Sequence, residues 1–335
     1  MIDINEIRTR DNKIVVLGSH PAIIQSILDF DYLCGKKEPS VIGIVAGENG
    51  MAKYFWGKDE TLIVVSSVIP DLIWDPVLFL DSRFRGNDKE RGNDKNNANF
   101  WFLNVLSGRR ALESGLKVAD SEIKFTGGVY FAENVPEQHS IALYHEFQKK
   151  GIGSIGPASV GLLVPGALKL GAIGGITPTQ IQEAKLTEQG NVAVLSASGG
   201  MTNELINIVI QNGKRLSFAL SFGGDRFPLL TPEKAFLIAE EDPETKLIVY
   251  YGELGGDDEY RIIELRKKGK ITKPAIMHIA GTVASLFPGS PQFGHAKAKA
   301  EKGKEQAHAK RDALKKAGFV VTEKFSEIKE KLLNC

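Results

Sequence analysis

Residues Val192–Gly200 read VAVLSASGG. Val192–Leu195 is a short apolar run of the kind that fills a strand buried on both faces. Ser-Ala-Ser-Gly-Gly at 196–200 then breaks the strand and opens a helical pattern that starts at Met201. Strand, glycine turn, helix is the unit from which parallel sheets are made, because a parallel partner strand needs a crossover.

The same unit recurs in both directions from this stretch. Short apolar runs fall at Ile14–Leu17, Val41–Val45, Leu62–Val65, Phe100–Val105, Ile123–Phe131, Ile152–Ile155, Ser217–Phe222, Leu247–Tyr251, Ala275–Ile279 and Phe319–Val321. Helical spacing appears near 21–33, 108–118, 136–150, 201–212, 231–240, 258–269, 304–317 and 326–333. The expected fold class is α/β: an N-terminal Rossmann-like domain over 1–157, then a flavodoxin-like parallel-sheet domain over 158–335. The Gly- and Pro-rich run GPASVGLLVPGALKLGAIGGITP separates the halves. Residues 67–98, with Arg-Gly-Asn-Asp-Lys at 85–89 and again at 91–95, read as an insertion exposed to solvent.

Bulk properties exclude several classes. A net charge of +1 gives no pull toward nucleic acid or an anionic membrane surface. No apolar run reaches the ~18 residues of a membrane span, and the polar start MIDINEIRTRDNK lacks a signal-peptide core. Two cysteines, Cys34 and Cys335, are too few for a disulfide framework, so a reducing cytoplasm is expected. Cys34 is expected to be packed rather than reactive.

In a parallel sheet every strand-to-helix loop emerges on the carboxyl edge, where open α/β sheets bind ligands. Four such loops in the second half are rich in glycine: 196–200, Gly-Gly-Asp-Arg-Phe-Pro at 223–228, Gly-Glu-Leu-Gly-Gly at 252–256, and Ala-Gly-Thr from 280 leading to FPGSPQFGHAK at 287–297. Glycine after a strand is often only turn chemistry; four such loops on one edge, with a histidine, imply more. Ser196, Ser198, Gly199 and Gly200 stand at a helix start, whose free N–H groups and dipole suit a phosphate. Glu253 sits between glycines, and His295 stands between Gly294 and Ala296. An anion cradle, an imidazole and a carboxylate together suit phosphohistidine chemistry. The remaining histidines fit it less well. His278 lies inside a strand and reads as core, and His139, His145 and His308 have no partner at metal-ligand spacing. His20, in Leu17-Gly-Ser-His-Pro-Ala, marks a turn after the first strand where a nucleotide phosphate could sit.

Taken together, GPASVG, GGMTNEL, GGDRFP, GELGGDDEY and SPQFGHAKAKAEKGKEQAHAKRDALKKAGF resemble the synthetase half of the ATP-citrate lyases, and more broadly the α subunits of succinyl-CoA synthetases. The resemblance runs from about residue 13 to 333, interrupted at 67–98. The lyases continue into a citrate-synthase-like domain that is expected to be absent here, so the chain looks most like the small subunits of citryl-CoA synthetases. The resemblance implies an ADP-forming acid–thiol ligase that joins citrate to coenzyme A. ATP and Mg2+ would lie on an ATP-grasp large subunit, the two forming a hetero-oligomer. It also implies roles for particular residues. His295 would carry the phosphoryl group and Glu253 would be its catalytic carboxylate. Leu17, Gly18, Ser19 and His20, with Phe131, Ala132 and Glu133, would bind coenzyme A. Asn203 stands where succinate-using relatives have a tyrosine, and would face the acid.

Two competing readings are a succinyl-CoA synthetase-type α subunit and a scaffold that binds coenzyme A without catalysis. Asn203 and SPQFGHA oppose the first, and retention of His295 with Glu253 opposes the second. Besides the insertion, two positions depart from the family pattern. Ala197 replaces an arginine, and Lys297 replaces the glycine after Gly-His-Ala.

Overall fold

The computed structural model describes residues 2–68, 98–287, 289 and 291–334. Residues 69–97 of the expected insertion, and Pro288 and Ser290 of the histidine loop, lie outside the described residues.

The first sheet contains β1 (Asp11–Leu17), β2 (Val41–Val45), β3 (Gly50–Trp56), β4 (Asp59–Ser66), β5 (Ala98–Asn104), β6 (Phe125–Tyr130) and β7 (Gly153–Ile155), in the order β3-β4-β2-β1-β5-β6-β7. Only β3 runs antiparallel to its neighbour. With β1, β2, β4, β5, β6 and β7 taken as first to sixth, the parallel order is 3-2-1-4-5-6, that of a dinucleotide-binding sheet. The second sheet contains β8 (Leu162–Val164), β9 (Leu168–Leu170), β10 (Val192–Ser196), β11 (Leu216–Ser221), β12 (Leu247–Glu253), β13 (Ala275–Ala280) and β14 (Val320–Thr322), in the order β14-β13-β12-β10-β11-β8-β9. With β10–β14 as first to fifth, its parallel strands read 2-1-3-4-5, the flavodoxin-like order.

Ten helices accompany these strands among the described residues: α1 (Ile4–Thr9), α2 (Pro21–Leu33), α3 (Ala111–Ala119), α4 (Glu137–Lys150), α5 (Pro178–Glu183), α6 (Gly199–Gln211), α7 (Pro232–Glu241), α8 (Asp258–Lys267), α9 (Ala307–Lys316) and α10 (Glu327–Leu333). None of them is long and apolar enough to cross a membrane. The central strands are buried throughout, as their unbroken apolar runs require: all of β10 and β11 is inaccessible to solvent. One apolar cluster runs from Ile14 and Trp101 of the first sheet to Leu195 and Phe218 of the second. Polar ties reinforce it. Arg8 grips Asp242 at 2.5 Å and donates to the Ser217 carbonyl at 3.1 Å. The Lys169 amine, fully buried, donates to Ser26 Oγ at 2.9 Å, and burial lowers its pKa to about 7.

Several elements differ from the sequence expectation. The run 162–170 is not a plain separator: β8 and β9 form a hairpin on the edge of the second sheet, with β8 antiparallel to β11. Its strands are only three residues long, too short to show a period between glycines. The edge strand β3 escaped the sequence reading: Lys53 on it, and Lys58, Asp59 and Glu60 at the turn and the start of β4, face solvent and break the apolar pattern. The short helices α1 and α5 are set by their caps, Asp3 and a Thr177–Gln180 capping box, more than by period. α6 begins at Gly199 because Ser198 caps it.

Candidate active site

Each sheet has one point where strand order reverses, and the gap there opens a crevice at the carboxyl edge. In the second sheet that point lies between β10 and β12, which pair in register from Val192↔Leu247 to Ser196↔Tyr251. The loops 196–200 and 252–256 are therefore neighbours. Ser196 Oγ donates to the Ser198 carbonyl at 2.9 Å and accepts from the Ser198 N–H at 3.1 Å, fixing the turn. Ser198 Oγ accepts from Met201 N at 3.5 Å, and the Ser198 carbonyl takes Thr202 N at 2.8 Å. That leaves the N–H groups of Gly199 and Gly200 at the free end of α6. A side chain on Gly199 would strike Val160, whereas Gly200 faces open space.

The histidine segment folds back over this crevice. Nδ1 of His295 donates to the Glu253 carboxylate, at 3.0 Å to Oε1 and 2.9 Å to Oε2. The imidazole lies flat on Gly224, where an added Cβ would come within 2.2 Å of its Cγ. The segment is held by Phe293 N donating to the Ala298 carbonyl at 2.9 Å and Ala298 N to the His295 carbonyl at 3.0 Å. Glu253 raises the imidazole pKa above its ordinary value, chiefly through the hydrogen bond, against a smaller opposing effect of burial. With Nδ1 occupied, Nε2 is the nitrogen left for chemistry.

Two ion pairs support this pair from below. Lys310 and Glu259, both almost wholly buried, meet at 2.6 Å. The Lys310 amine also donates to the carbonyls of Glu253 at 2.9 Å and Gly255 at 2.5 Å, so it fixes the backbone that presents Glu253. Tyr250 donates to the other Glu259 oxygen at 2.9 Å. Lys297 pairs with Asp258 at the start of α8, and burial lowers its pKa to about 8. Lys297, Ala197, Gly224, Glu253 and Asp258 line one small cavity of about 20 Å³. On its outer side Lys297 and Asp258 also line an open cleft of about 830 Å³ that reaches Tyr144 and His145 of α4.

The first sheet brings its own switch point, between β1 and β5, to the same region. Gly18 has φ +93, which allows the turn into α2, and its N–H reaches the Val45 carbonyl at 2.8 Å. His20 occupies the cap position of α2 without capping it, and its buried Nδ1 has no hydrogen-bond partner. Its ring stands edge-on to Phe131, with centroids 5.9 Å apart. An uncapped helix start and a free imidazole nitrogen beside an aromatic ring suit the phosphates and base of a nucleotide-like thiol cofactor. The strips 17–20 and 131–133 thus meet. The second strip is also tied toward His295: Ala158 N donates to the Ala132 carbonyl at 2.8 Å, and the Pro157 carbonyl packs against Gly223. The charge of Glu133 acts on both His295 and Asp225.

Asn203 lies on the first turns of α6, where its Oδ1 accepts from Gly174 N at 2.8 Å. Its oxygen serves the fold, and only its amide N–H groups remain for an acid. His278 is core, stacked on Tyr251 and bonded to Thr322, and burial lowers its pKa to about 4. Cys34 is packed, its thiol pushed up to about 12 by burial.

Gly224, Asp225, Asp258, Glu259 and Lys310 were not singled out by sequence. Gly224 and Asp225 sit in a loop that was noted only for its glycines. Lys310 belongs to the alternating charges of 300–316, a pattern that ordinarily marks a solvated face.

Residues 195–320 match the CoA-ligase family. A probable ATP-citrate synthase subunit 1 of Neurospora crassa is 36% identical over 316 residues, covering 93% of this chain and 44% of the relative. The human ATP-citrate synthase is 35% identical over 325 residues, covering 96% of this chain and 27% of the relative. The structure of an ATP citrate lyase from Methanothrix soehngenii in complex with citrate and coenzyme A superposes with a TM-score of 0.87 at 34% identity, over 98% of this chain and 50% of that one. A Methanosaeta concilii ATP citrate lyase in complex with (3S)-citryl-CoA gives the same values. A dinucleotide-forming acetyl-coenzyme A synthetase of Ca. Korarchaeum cryptofilum shares the fold, with a TM-score of 0.62 at 14% identity. The chain spans half or less of the length of these lyase and synthase relatives. The chain is thus a citryl-CoA synthetase-like protein, with a CoA-ligase match over residues 195–320 and similarity along nearly its whole length to one part of the longer ATP-citrate synthases.

Proposed function

We propose that this chain is the phosphohistidine-bearing subunit of an ADP-forming ligase that joins citrate to coenzyme A. The observation that carries the proposal is the bond from His295 Nδ1 to both oxygens of Glu253. It fixes the tautomer with the proton on Nδ1 and leaves the Nε2 lone pair free to attack phosphorus. As the Nε2–P bond forms, the bond from the γ-phosphorus of ATP to its bridging oxygen breaks and ADP departs with the electron pair; a citrate carboxylate oxygen then takes the phosphoryl group from Nε2, and the coenzyme A thiol displaces phosphate from the resulting acyl phosphate. The Nδ1 proton stays on the Glu253 hydrogen bond, and Glu253 offsets the positive charge that develops on the ring. The free N–H groups of Gly199 and Gly200 are placed to receive the phosphoryl oxygens. Leu17–His20 and Phe131–Glu133 bind coenzyme A, and the bond of Ala158 N to the Ala132 carbonyl, next to the Pro157–Gly223 contact, supports a thiol end directed toward the histidine. The nucleotide and its Mg2+ belong to an ATP-grasp partner, since this chain has no P-loop.

The test is to combine the chain with an ATP-grasp partner and to supply citrate, coenzyme A and ATP radiolabelled at the γ-phosphate. Acid-labile, base-stable label should appear on the chain and vanish in His295→Ala, which should still bind coenzyme A. Label that persists in that variant overturns the assignment. Robust ATP turnover by the chain alone overturns the two-subunit reading. Succinate in place of citrate tests the choice of acid.

A further inference from the structure

Three carboxylates, Glu253, Asp258 and Glu259, line the small cavity beside His295, and Lys297 is the one cation of its lining. A phosphoryl group on Nε2 would add about two negative charges to this acidic surround. Glu259 is neutralised from beneath by Lys310, whose amine is buried and held by two carbonyls and cannot turn outward. Lys297 is different. It lies two residues after His295 on the same segment, and its stem runs over Gly256, where an added Cβ would meet the Lys297 Cε at 2.8 Å. Its amine has a carboxylate partner in Asp258 and borders both the small cavity and the open cleft.

We propose that Lys297 leaves Asp258 to neutralise the phosphoryl group carried on His295 Nε2, which makes it a catalytic cation for that intermediate. This rests on the phosphohistidine reading above. Lys297 makes and breaks no covalent bond; it exchanges one charge-assisted hydrogen bond, to Asp258, for another, to a phosphoryl oxygen. The charged groups around the amine are Asp258, Lys310, Glu233, Asp257 and Glu253. Asp258 therefore competes with the phosphoryl group for the amine, and variants of the two residues should act in opposite directions.

The full-length chain is incubated with phosphoramidate, a chemical donor that phosphorylates histidine without the partner. The level of phosphohistidine is read by intact mass, and the phosphoryl group is titrated by phosphorus NMR. Label on the wild type that is absent from His295→Ala upholds the underlying reading, and label on both, or on neither, overturns it along with the proposal. Given that label, Lys297→Met should lower the level about tenfold, the scale of one lost charge-assisted bond, and should raise the pH at which the phosphoryl group takes up its proton. Lys297→Arg should restore most of the level. Asp258→Asn, which frees the amine, should raise it and shift the titration the other way. Lys297→Met and Asp258→Asn moving the level in the same direction, or an unmoved phosphoryl titration in Lys297→Met, would overturn the proposal while leaving His295 in place.

Discussion

Glu253 and His295, 42 residues apart in the chain, meet through both carboxylate oxygens at Nδ1. Glu253 ends a central strand, and Lys310 holds the carbonyls of Glu253 and Gly255 from beneath. The backbone that presents the carboxylate is thus fixed, and the histidine arrives on a segment of short turns.

The bond raises the imidazole pKa, so the acid limb of histidine phosphorylation should lie above the ordinary histidine pKa of ~6.5. Glu253→Gln removes the negative charge and should move that limb to lower pH. It should also slow phosphorylation by about a hundredfold, since an oriented tautomer is lost. For stability the sign is fixed by the raised folded-state pKa. The wild-type contribution is full below the unfolded pKa and fades as pH rises through the folded one. Glu253→Gln should lose this dependence. Rates and melting curves across pH check both.

Gly224→Ala places a methyl group where the His295 ring lies. Gly224 does not need left-handed backbone, so the fold should survive and the imidazole should be displaced. Phosphohistidine formation should fall about tenfold or more, from a misplacement of an ångström or so. Coenzyme A binding, measured by calorimetry, should stay near wild type.

Lys310→Met strands the buried Glu259 carboxylate and should cost about 3–5 kcal/mol in denaturant unfolding. Adding Glu259→Gln removes the uncompensated charge and should recover a good part of that loss. Equal midpoints for the single and double variants would show that Lys310 acts only through the carbonyls of Glu253 and Gly255.

Asp225 is pushed up to about 6 by burial, with Glu133 and Glu137 adding to the effect and His295 opposing it, and its Oδ2 is buried without a partner. Its folded-state pKa is raised, so stability declines as pH climbs from the unfolded carboxylate value of ~3.9 through about 6. Asp225→Asn should melt higher than wild type at pH ~7.5, and the gap should close toward pH ~4.

Phe131→Ala removes the ring against which His20 stands, and should weaken coenzyme A binding about tenfold through lost stacking and packing. Phosphoramidate labelling of His295 should be unaffected. Loss of both would show that the strip 131–133 supports the histidine site instead.

Local pattern alone carried the strand–helix alternation, the carboxyl-edge placement of the glycine loops and a helix after Ser196–Gly200, which the structure starts two residues earlier than the expected Met201. Buried parallel strands show as unbroken apolar runs, and right-handed crossovers send every following loop to one edge. Sequence also marked His295 and Glu253 as chemically apt, because small residues, Gly294 and Ala296, flank the first and glycine-rich sequence, Gly252 and Gly255–Gly256, surrounds the second. It did not show that β10 and β12 are neighbours while β11 lies outside them, since strand order is a property of the packed sheet. That order sets Glu253 beside the α6 cradle. Only the folded chain puts Gly224 beneath the imidazole and turns Lys310, one lysine among many on a charged helix, into the buried support of the Glu253 backbone. The physical reason is range: period and turn chemistry act over a few residues, whereas these contacts join segments tens of residues apart through the burial of charge against a shared core.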